Sequence, residues 1–229
     1  MKRVSDRISE LLVEFGIQHV FMVTGGGAMH LNDAFGRNHS LKVINMHHEQ
    51  ACSMAADGYA RTNNQMACVN VTTGPGGINA INGVFGAWTD SVPMIVISGQ
   101  VKRETLNFDN SKLRQLGDQE NNIVSMVKNI TKFSYILKNP NYVDDVISKA
   151  LKIASTGRPG PVWIDIPLDI QSKIVNPKKI KKFKNQKINK TVNNFDFIKL
   201  KNLIKKSSRP SIVIGNGIHI SNSSKILRQ

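Results

Sequence analysis

A short run of potentially reactive side chains, His47-His48-Glu49, lies between a predicted strand and a predicted helix. Glu49 could be an ordinary first-turn acid, because the positive end of a helix dipole stabilises a carboxylate there. It could instead exchange a proton with a bound ligand, a common role of glutamate in catalysis. Adjacent residues point in different directions and no His-x-x-x-His pair accompanies them, so we predict no metal site.

Two glycine-rich turns could bring a ligand close to the backbone. One is Gly25-Gly26-Gly27, and the other is Thr73-Gly74-Pro75-Gly76, which Asn79 follows. Glycine allows positive φ and a close approach of the main chain to a ligand. A plain strand-to-helix turn uses the same residues, and a dinucleotide site is a further alternative. The spacing Gly74-x-Gly76-x-x-Asn79 lacks the third glycine of the dinucleotide motif, so that alternative is disfavoured.

The elements around these residues alternate short apolar runs with amphipathic helical stripes. The predicted strands are Val20–Val23, Val43–Met46, Met66–Val71, Pro93–Ser98 and Val162–Ile166. The predicted helices are Asp6–Phe15, Ala28–Phe35, Glu49–Arg61 and Ile78–Trp88. Continuous apolar strands separated by helices indicate an α/β fold, with a parallel sheet flanked by helices on both faces. Such sheets bind ligands at the carboxyl ends of their strands, where the two turns and Glu49 would lie.

The composition divides the chain into three parts. Residues 1–170 carry the α/β pattern, and residues 171–207 form a Lys-rich linker with one helix, Phe195–Lys206. Residues 208–229 contain a predicted strand, Ser211–Ile214, that runs into a glycine turn. This is how a second α/β domain would begin. A domain usually needs about 100 residues, so we expect this second domain to be incomplete.

The net charge of +15 comes almost entirely from the C-terminal part. Residues 1–169 hold 16 Lys and Arg against 15 Asp and Glu, whereas residues 170–229 hold 15 against one. A basic segment could bind nucleic acid or an anionic membrane surface, but this one has few aromatic residues, so we expect a solvated linker. No apolar run is long enough to span a bilayer, and no secretory signal is visible.

The two cysteines, Cys52 and Cys68, fit neither a disulfide framework nor a Cys-x-x-Cys metal pair. We expect both to be buried small apolar residues in a cytoplasmic protein.

An ordered series of short motifs covers residues 1 to about 170. The series comprises His47-His48-Glu49-Gln50, Ala55-Ala56-Asp57-Gly58-Tyr59-Ala60-Arg61, Thr72-Thr73-Gly74-Pro75-Gly76, Asp90-Ser91-Val92-Pro93, Ser98-Gly99-Gln100-Val101, Gln119-Glu120, Ile130-Thr131-Lys132, Gly157-Arg158-Pro159-Gly160-Pro161 and Asp165-Ile166-Pro167. It resembles the pyrimidine-binding domain of acetolactate synthase and related thiamine-diphosphate enzymes. Arg209-Pro210 and Gly215 resemble the start of that family's central domain.

The resemblance implies a role for each matching residue. Glu49 would hydrogen-bond the aminopyrimidine ring of thiamine diphosphate, so that the cofactor loses its C2 proton and attacks a 2-keto acid such as pyruvate. Gln119 would face the reacting end of the cofactor as a second catalytic residue. The implied cofactor-binding residues are Gly25, Gly26, Gly27, Thr73, Gly74, Pro75, Gly76, Asn79 and Gln100. Arg158 matches an arginine that contacts FAD in relatives that keep a flavin.

The family binds the cofactor's diphosphate and Mg²⁺ through a Gly-Asp-Gly motif in another domain. The nearest string here, Gly117-Asp118-Gln119, has the wrong third residue and place. The resemblance therefore implies a missing or separate diphosphate-binding domain, without which the chain would be inactive. It also implies a homodimer or tetramer with active sites between subunits, and branched-chain amino acid biosynthesis is one setting for such an enzyme.

Two departures from the family pattern leave alternatives open. Many relatives have a proline where Thr24 or Gly25 stands, and classical acetolactate synthases have an aromatic residue at the position of Asp118. The run around Asp118 resembles relatives in sugar and polysaccharide pathways. The alternatives are therefore another thiamine-diphosphate lyase or decarboxylase, acting on a sugar-derived or acyl-CoA substrate, or a non-catalytic module that keeps the fold.

Overall fold

The computed structural model describes residues 2–108, 112–175 and 196–228. The first two ranges belong to one compact unit and the third belongs to a second unit. Across these ranges, none of the helices has the length and apolar character needed to cross a membrane.

The first unit is built on a six-stranded sheet in the order β2-β1-β3-β4-β6-β5. Its strands are β1 His19–Met22, β2 Lys42–Asn45, β3 Ala67–Val71, β4 Met94–Gln100, β5 Phe133–Ile136 and β6 Pro161–Pro167. Every neighbouring pair is parallel. All residues of β3, β4 and β6 are buried, as expected for inner strands of a parallel sheet covered on both faces.

Helices cover both faces of this sheet. They are α1 Val4–Phe15, α2 Met29–Arg37, α3 Glu49–Asn63, α4 Pro75–Thr89, α5 Ile123–Val127, α6 Val143–Ser155 and α7 Leu168–Gln171. One apolar cluster joins α1, α2 and α6 to the strands, and a second joins α3, α4 and α5 to alternate strand residues. The predicted α/β fold with helices on both faces is therefore confirmed.

The turns before α3 and α4 place the two helices at the carboxyl edge of the sheet. His48 precedes α3 with an extended backbone, and its Nδ1 accepts a hydrogen bond of 3.1 Å from the amide of Gln50. Gly74 precedes α4 with φ of 61°, a conformation that favours glycine. Pro75 then occupies the first helical position, where its missing N–H has no partner to lose.

The second unit contains α8 Phe197–Lys206, α9 Gly217–Ile220 and α10 Ser224–Leu227. The helix predicted at Phe195–Lys206 is confirmed, and the Asp196 side chain caps α8 by accepting from the amide of Lys199 at 2.8 Å. The predicted strand Ser211–Ile214 is wrong, because those residues have no strand structure. A strand needs a neighbour to hydrogen-bond with, and residues 196–228 supply none.

The predicted linker 171–207 lies mostly outside the described residues. Its first five residues pack on the first unit. Ile174 bridges antiparallel to Arg3, and the amide of Val175 donates to the carbonyl of Lys2 at 2.9 Å. This unit therefore extends at least five residues beyond the expected boundary at 170.

Candidate functional site

Three strand ends are tied together at the carboxyl edge of the sheet. The amide of Gly27, after β1, donates to Oγ1 of Thr72, after β3, at 3.1 Å. The hydroxyl of Thr73 donates to the carbonyl of Gly99, in β4, at 3.2 Å. These bonds hold the first glycine turn against the second, as parallel-sheet topology predicts for loops at one edge.

The glycines of the first turn differ in why they are needed. A Cβ on Gly25 would lie 2.4 Å from Cβ of Thr72, and one on Gly27 would lie 1.9 Å from Oγ1 of Thr73. A Cβ on Gly26 would meet nothing within 4 Å. Gly25 and Gly27 are therefore required by close packing, whereas Gly26 is not.

A cleft of about 560 Å³ opens beside this turn. Its lining includes five of the residues predicted from the sequence, Gly25, Gly26, Gly27, Thr73 and Gln119. Gln119 is exposed and has a left-handed backbone, with φ of 57°.

Seven other residues that line the cleft were not predicted as site residues: Met29, Thr72, Val101, Lys102, Thr105, Asp118 and Leu168. Thr72 could have been predicted, because it directly precedes the second glycine turn in the sequence. Lys102 and Asp118 place opposite charges on the lining of the cleft.

Glu49 lies at the first position of α3 and is half-buried. Nδ2 of Asn79 donates to its Oε2 at 3.0 Å. A Cβ added to Gly76 would lie 3.4 Å from Oε1 and 2.8 Å from Cγ2 of Thr72. The carboxylate therefore faces the start of α4, with the Thr72 side chain nearby. The structure thus brings together Glu49, Gly76 and Asn79, which the sequence had placed in one site.

The Glu49 carboxylate makes no ion pair with any residue in the described ranges. Its Oε1 makes none of the hydrogen bonds found there, so one carboxylate oxygen is available to a ligand. The lack of a side chain at position 76 lets the start of α4 pack closely against Thr72 and the carboxylate. The unbonded Oε1 can accept a hydrogen bond from a ligand that presents a ring nitrogen.

Cys52 lies near Glu49, and its thiol stays protonated at neutral pH. Burial, together with the nearby Glu49 carboxylate, raises the pKa of the Cys52 thiol to about 12. Burial also raises the pKa of Cys68. Both cysteines are free and buried, which confirms the predicted burial. Within the described ranges, no three or more His, Cys, Asp and Glu side chains are grouped so that they could hold a metal ion.

Two predicted cofactor contacts are not part of this arrangement. Gln100 is fully buried at the end of β4, and its amide group bonds to the protein itself. Arg158 precedes β6, at the amino edge of the sheet, and donates to Oγ of Ser91 at 2.6 Å and to the carbonyl of Thr89 at 3.4 Å. Because β4 and β6 are parallel, the length of these strands separates Arg158 at the amino edge from the glycine turns at the carboxyl edge.

The sequence of this chain is similar to those of known proteins. A family model described as thiamine pyrophosphate enzyme, N-terminal TPP binding domain, matches residues 2–126. The acetolactate synthase large subunit of Buchnera aphidicola subsp. Schizaphis graminum is 36% identical over 231 residues, covering 98% of this chain and 39% of that relative. The large subunit of Haemophilus influenzae is 40% identical over 179 residues, covering 77% and 29% respectively. The chloroplastic acetolactate synthase of Arabidopsis thaliana is 35% identical over 176 residues, covering 77% and 25%. The chain therefore spans about two fifths or less of the length of these relatives.

Proposed function

Because this chain belongs to the thiamine pyrophosphate enzymes, whose N-terminal TPP-binding domain it contains, we propose that it is the pyrimidine-binding part of an acetolactate synthase-like enzyme. The proposed reaction is decarboxylation of a 2-keto acid such as pyruvate, followed by addition to a second carbonyl compound. The acetolactate synthase relatives support this choice within the family.

The observation that carries the proposal is the environment of Glu49. Its Oε2 is fixed by Asn79, its Oε1 makes none of the hydrogen bonds in the described ranges, and the start of α4 packs close to it at Gly76. An acid retained for helix stability alone needs neither an amide partner on the next helix nor a neighbouring glycine. The residues therefore fit the aminopyrimidine ring of thiamine diphosphate.

When bound, thiamine diphosphate supplies a nucleophilic carbon and an electron sink for keto-acid chemistry. Glu49 would hold the pyrimidine ring through Oε1 and exchange a proton with a ring nitrogen, as a general acid–base does. Asn79 would keep the carboxylate oriented toward that nitrogen. The cleft that admits the substrate would be shaped by Gly25, Gly27, Thr73 and Gln119. We propose that Gln119 contacts the substrate there as a catalytic residue.

We propose that Mg²⁺ and the diphosphate group are held by a further domain or another subunit. Diphosphate-bound Mg²⁺ takes several oxygen ligands, and the described residues offer no cluster of three or more acidic, histidine or cysteine side chains for it. The surface of α4 supports a partner, since this helix has no charged residue and exposes Ile78 and Phe85 by 43% and 56%. A homodimer or tetramer with shared active sites follows from this proposal.

The identity of the second substrate is open between two classes. Lys102 and Asp118 put charges of opposite sign on the lining of the cleft. Lys102 could pair with the carboxylate of a second keto acid, and both residues could hydrogen-bond the hydroxyl groups of a sugar-derived carbonyl compound. The relatives favour the keto acid. FAD remains an expectation of the resemblance, and Arg158 at the amino edge is the residue that would contact it.

The test supplies this chain with the diphosphate-binding part, in cis or in trans, and adds thiamine diphosphate, Mg²⁺ and pyruvate. Carbon dioxide release and acetolactate formation are expected with the wild-type chain and a loss of at least about 100-fold with Glu49→Gln. Glu14→Gln, an exposed acid on α1, is the matched control and should retain full activity. Equal activity of the two variants would reject the proposal.

A further inference from the structure

Two fully buried glutamines lie behind the cleft, and each bonds to the backbone of one of its loops. Nε2 of Gln100, at the end of β4, donates to the carbonyl of Asn121 at 2.9 Å. Nε2 of Gln171, at the end of α7, donates to the carbonyl of Gly27 at 2.7 Å. Asn121 lies two residues after Gln119, and Gly27 lines the cleft directly.

The Gln100 amide is fully used. Its Nε2 also donates to Oδ2 of Asp165 at 2.9 Å, and its Oε1 accepts from the amide of Val101 at 3.0 Å. Asp165 is itself fully buried and accepts from Oγ of Ser98 at 2.5 Å. Asp165 therefore fixes the direction in which Gln100 presents its second N–H to the loop.

The loop that Gln100 reaches carries Gln119. Within it, the Glu120 carboxylate accepts from the amides of Leu116 and Gly117 at 3.1 and 2.6 Å. Nδ2 of Asn121 reaches the carbonyl of Gly74 at 3.4 Å. Glu120 thus shapes the loop internally, whereas the bond from Gln100 attaches it to the sheet.

Gln171 shows that the donor group is what the fold uses. Its Nε2 also donates to the carbonyl of Ile166 at 2.8 Å. Its Oε1 is buried and has no hydrogen-bond partner. A buried acceptor without a partner is unfavourable by about 1–3 kcal/mol, so an apolar residue would suit this place better if only packing mattered.

We propose that Gln100 and Gln171 are positioning residues, each holding one loop of the cleft from behind. Gln100 holds the segment 116–122 with Gln119, and Gln171 holds the turn Gly25-Gly26-Gly27. Neither side chain contacts a ligand in this arrangement, which replaces the cofactor contact expected for Gln100. Both roles depend only on hydrogen bonds within the protein, so failure of thiamine diphosphate to bind would leave them intact.

The experiment measures amide hydrogen–deuterium exchange by NMR in the full 229-residue chain. Gln100→Leu should speed exchange at Leu116, Gly117 and Glu120 about tenfold, the loss expected for one buried hydrogen bond, and leave the Gly27 and Ala28 amides unchanged. Gln171→Leu should do the reverse, so each variant is the control for the other. The amide of Val69 in β3 reports global unfolding and should stay constant.

Two variants at Asp165 distinguish loss of the hydrogen bond to Gln100 from a general change in core packing. Asp165→Asn keeps an acceptor for Gln100 and should preserve protection of the 116–120 amides, whereas Asp165→Leu removes the acceptor and should reduce it. If Gln100→Leu or Gln171→Leu fails to fold, the asparagine variant at the same position replaces it, since a side chain one methylene shorter cannot reach the loop carbonyl. Equal acceleration at both loops, or none at either, would overturn the proposal.

Discussion

Gly27 and Gly26 provide a matched pair for testing the packing of the first glycine turn. A Cβ at position 27 would lie 1.9 Å from Oγ1 of Thr73, far inside van der Waals contact, whereas a Cβ at position 26 meets nothing within 4 Å. The Thr73 hydroxyl would have to move and lose its bond to the carbonyl of Gly99. Overpacking a filled site destabilises by about 1–3 kcal/mol, and the lost bond adds about 0.5–1.5 kcal/mol.

Gly27→Ala should therefore lower the free energy of unfolding by about 2–4 kcal/mol, and Gly26→Ala by less than about 0.5 kcal/mol. Urea unfolding followed by far-ultraviolet circular dichroism measures both, with an unchanged m-value expected. Thr73→Ala removes the clashing hydroxyl, so in the double variant the cost of Gly27→Ala should fall by at least about 1 kcal/mol. Equal costs at positions 26 and 27, or a double variant without this coupling, would refute the reasoning.

Three further predictions concern the buried Asp165, the ion pair between α1 and α6, and the surface of α4. Burial raises the pKa of Asp165 to about 7, so the folded state keeps a proton that the unfolded state releases above about pH 4. The stability this carboxyl contributes is thus lost as pH rises to about 7. Between about pH 4 and 7, the free energy of unfolding of Asp165→Asn should rise relative to that of the wild type by on the order of 3 kcal/mol in urea titrations. A difference that stays constant with pH would contradict this. Asp144→Ala removes the most buried of the three carboxylates that pair with Arg7 and should cost about 2 kcal/mol in thermal or urea unfolding, whereas Arg37→Ala at an exposed pair should cost less than about 1 kcal/mol. In the assembled enzyme, Phe85→Lys on α4 should shift sedimentation toward the monomer while Phe15→Lys on α1 should not, and identical behaviour would argue against α4 as a subunit interface.

The sequence predicted most of the fold because buried parallel strands leave a strong pattern. The strands β1 to β4 and β6 were each placed within two residues of their observed bounds. Strand β5, Phe133–Ile136, was missed because it is a half-exposed edge strand of four residues. Helix α6 was also missed, although Val143, Ile147 and Leu151 recur at helical spacing, so the signal was present.

The sequence predicted which residues gather at the site, because residue type and topology decide that. It did not predict the direction in which a side chain points. Glu49, Gly76 and Asn79 come together because parallel topology collects strand ends at one edge. Gln100 stands at the same edge, but its amide turns inward to Asp165, and alternation along a strand does not reveal that choice. Gln171 had no signal, since it reaches the Gly27 loop from a distant part of the chain.

The most direct test of the account is the exchange of the C2 proton of thiamine diphosphate bound to this chain together with the diphosphate-holding domain. Proton NMR follows the loss of the C2 signal in deuterium oxide after acid quenching. If the Glu49 carboxylate exchanges a proton with the pyrimidine ring, Glu49→Gln should slow this exchange by at least about 100-fold while Glu14→Gln leaves it unchanged. Exchange at the wild-type rate in a folded, cofactor-loaded Glu49→Gln variant would contradict the account.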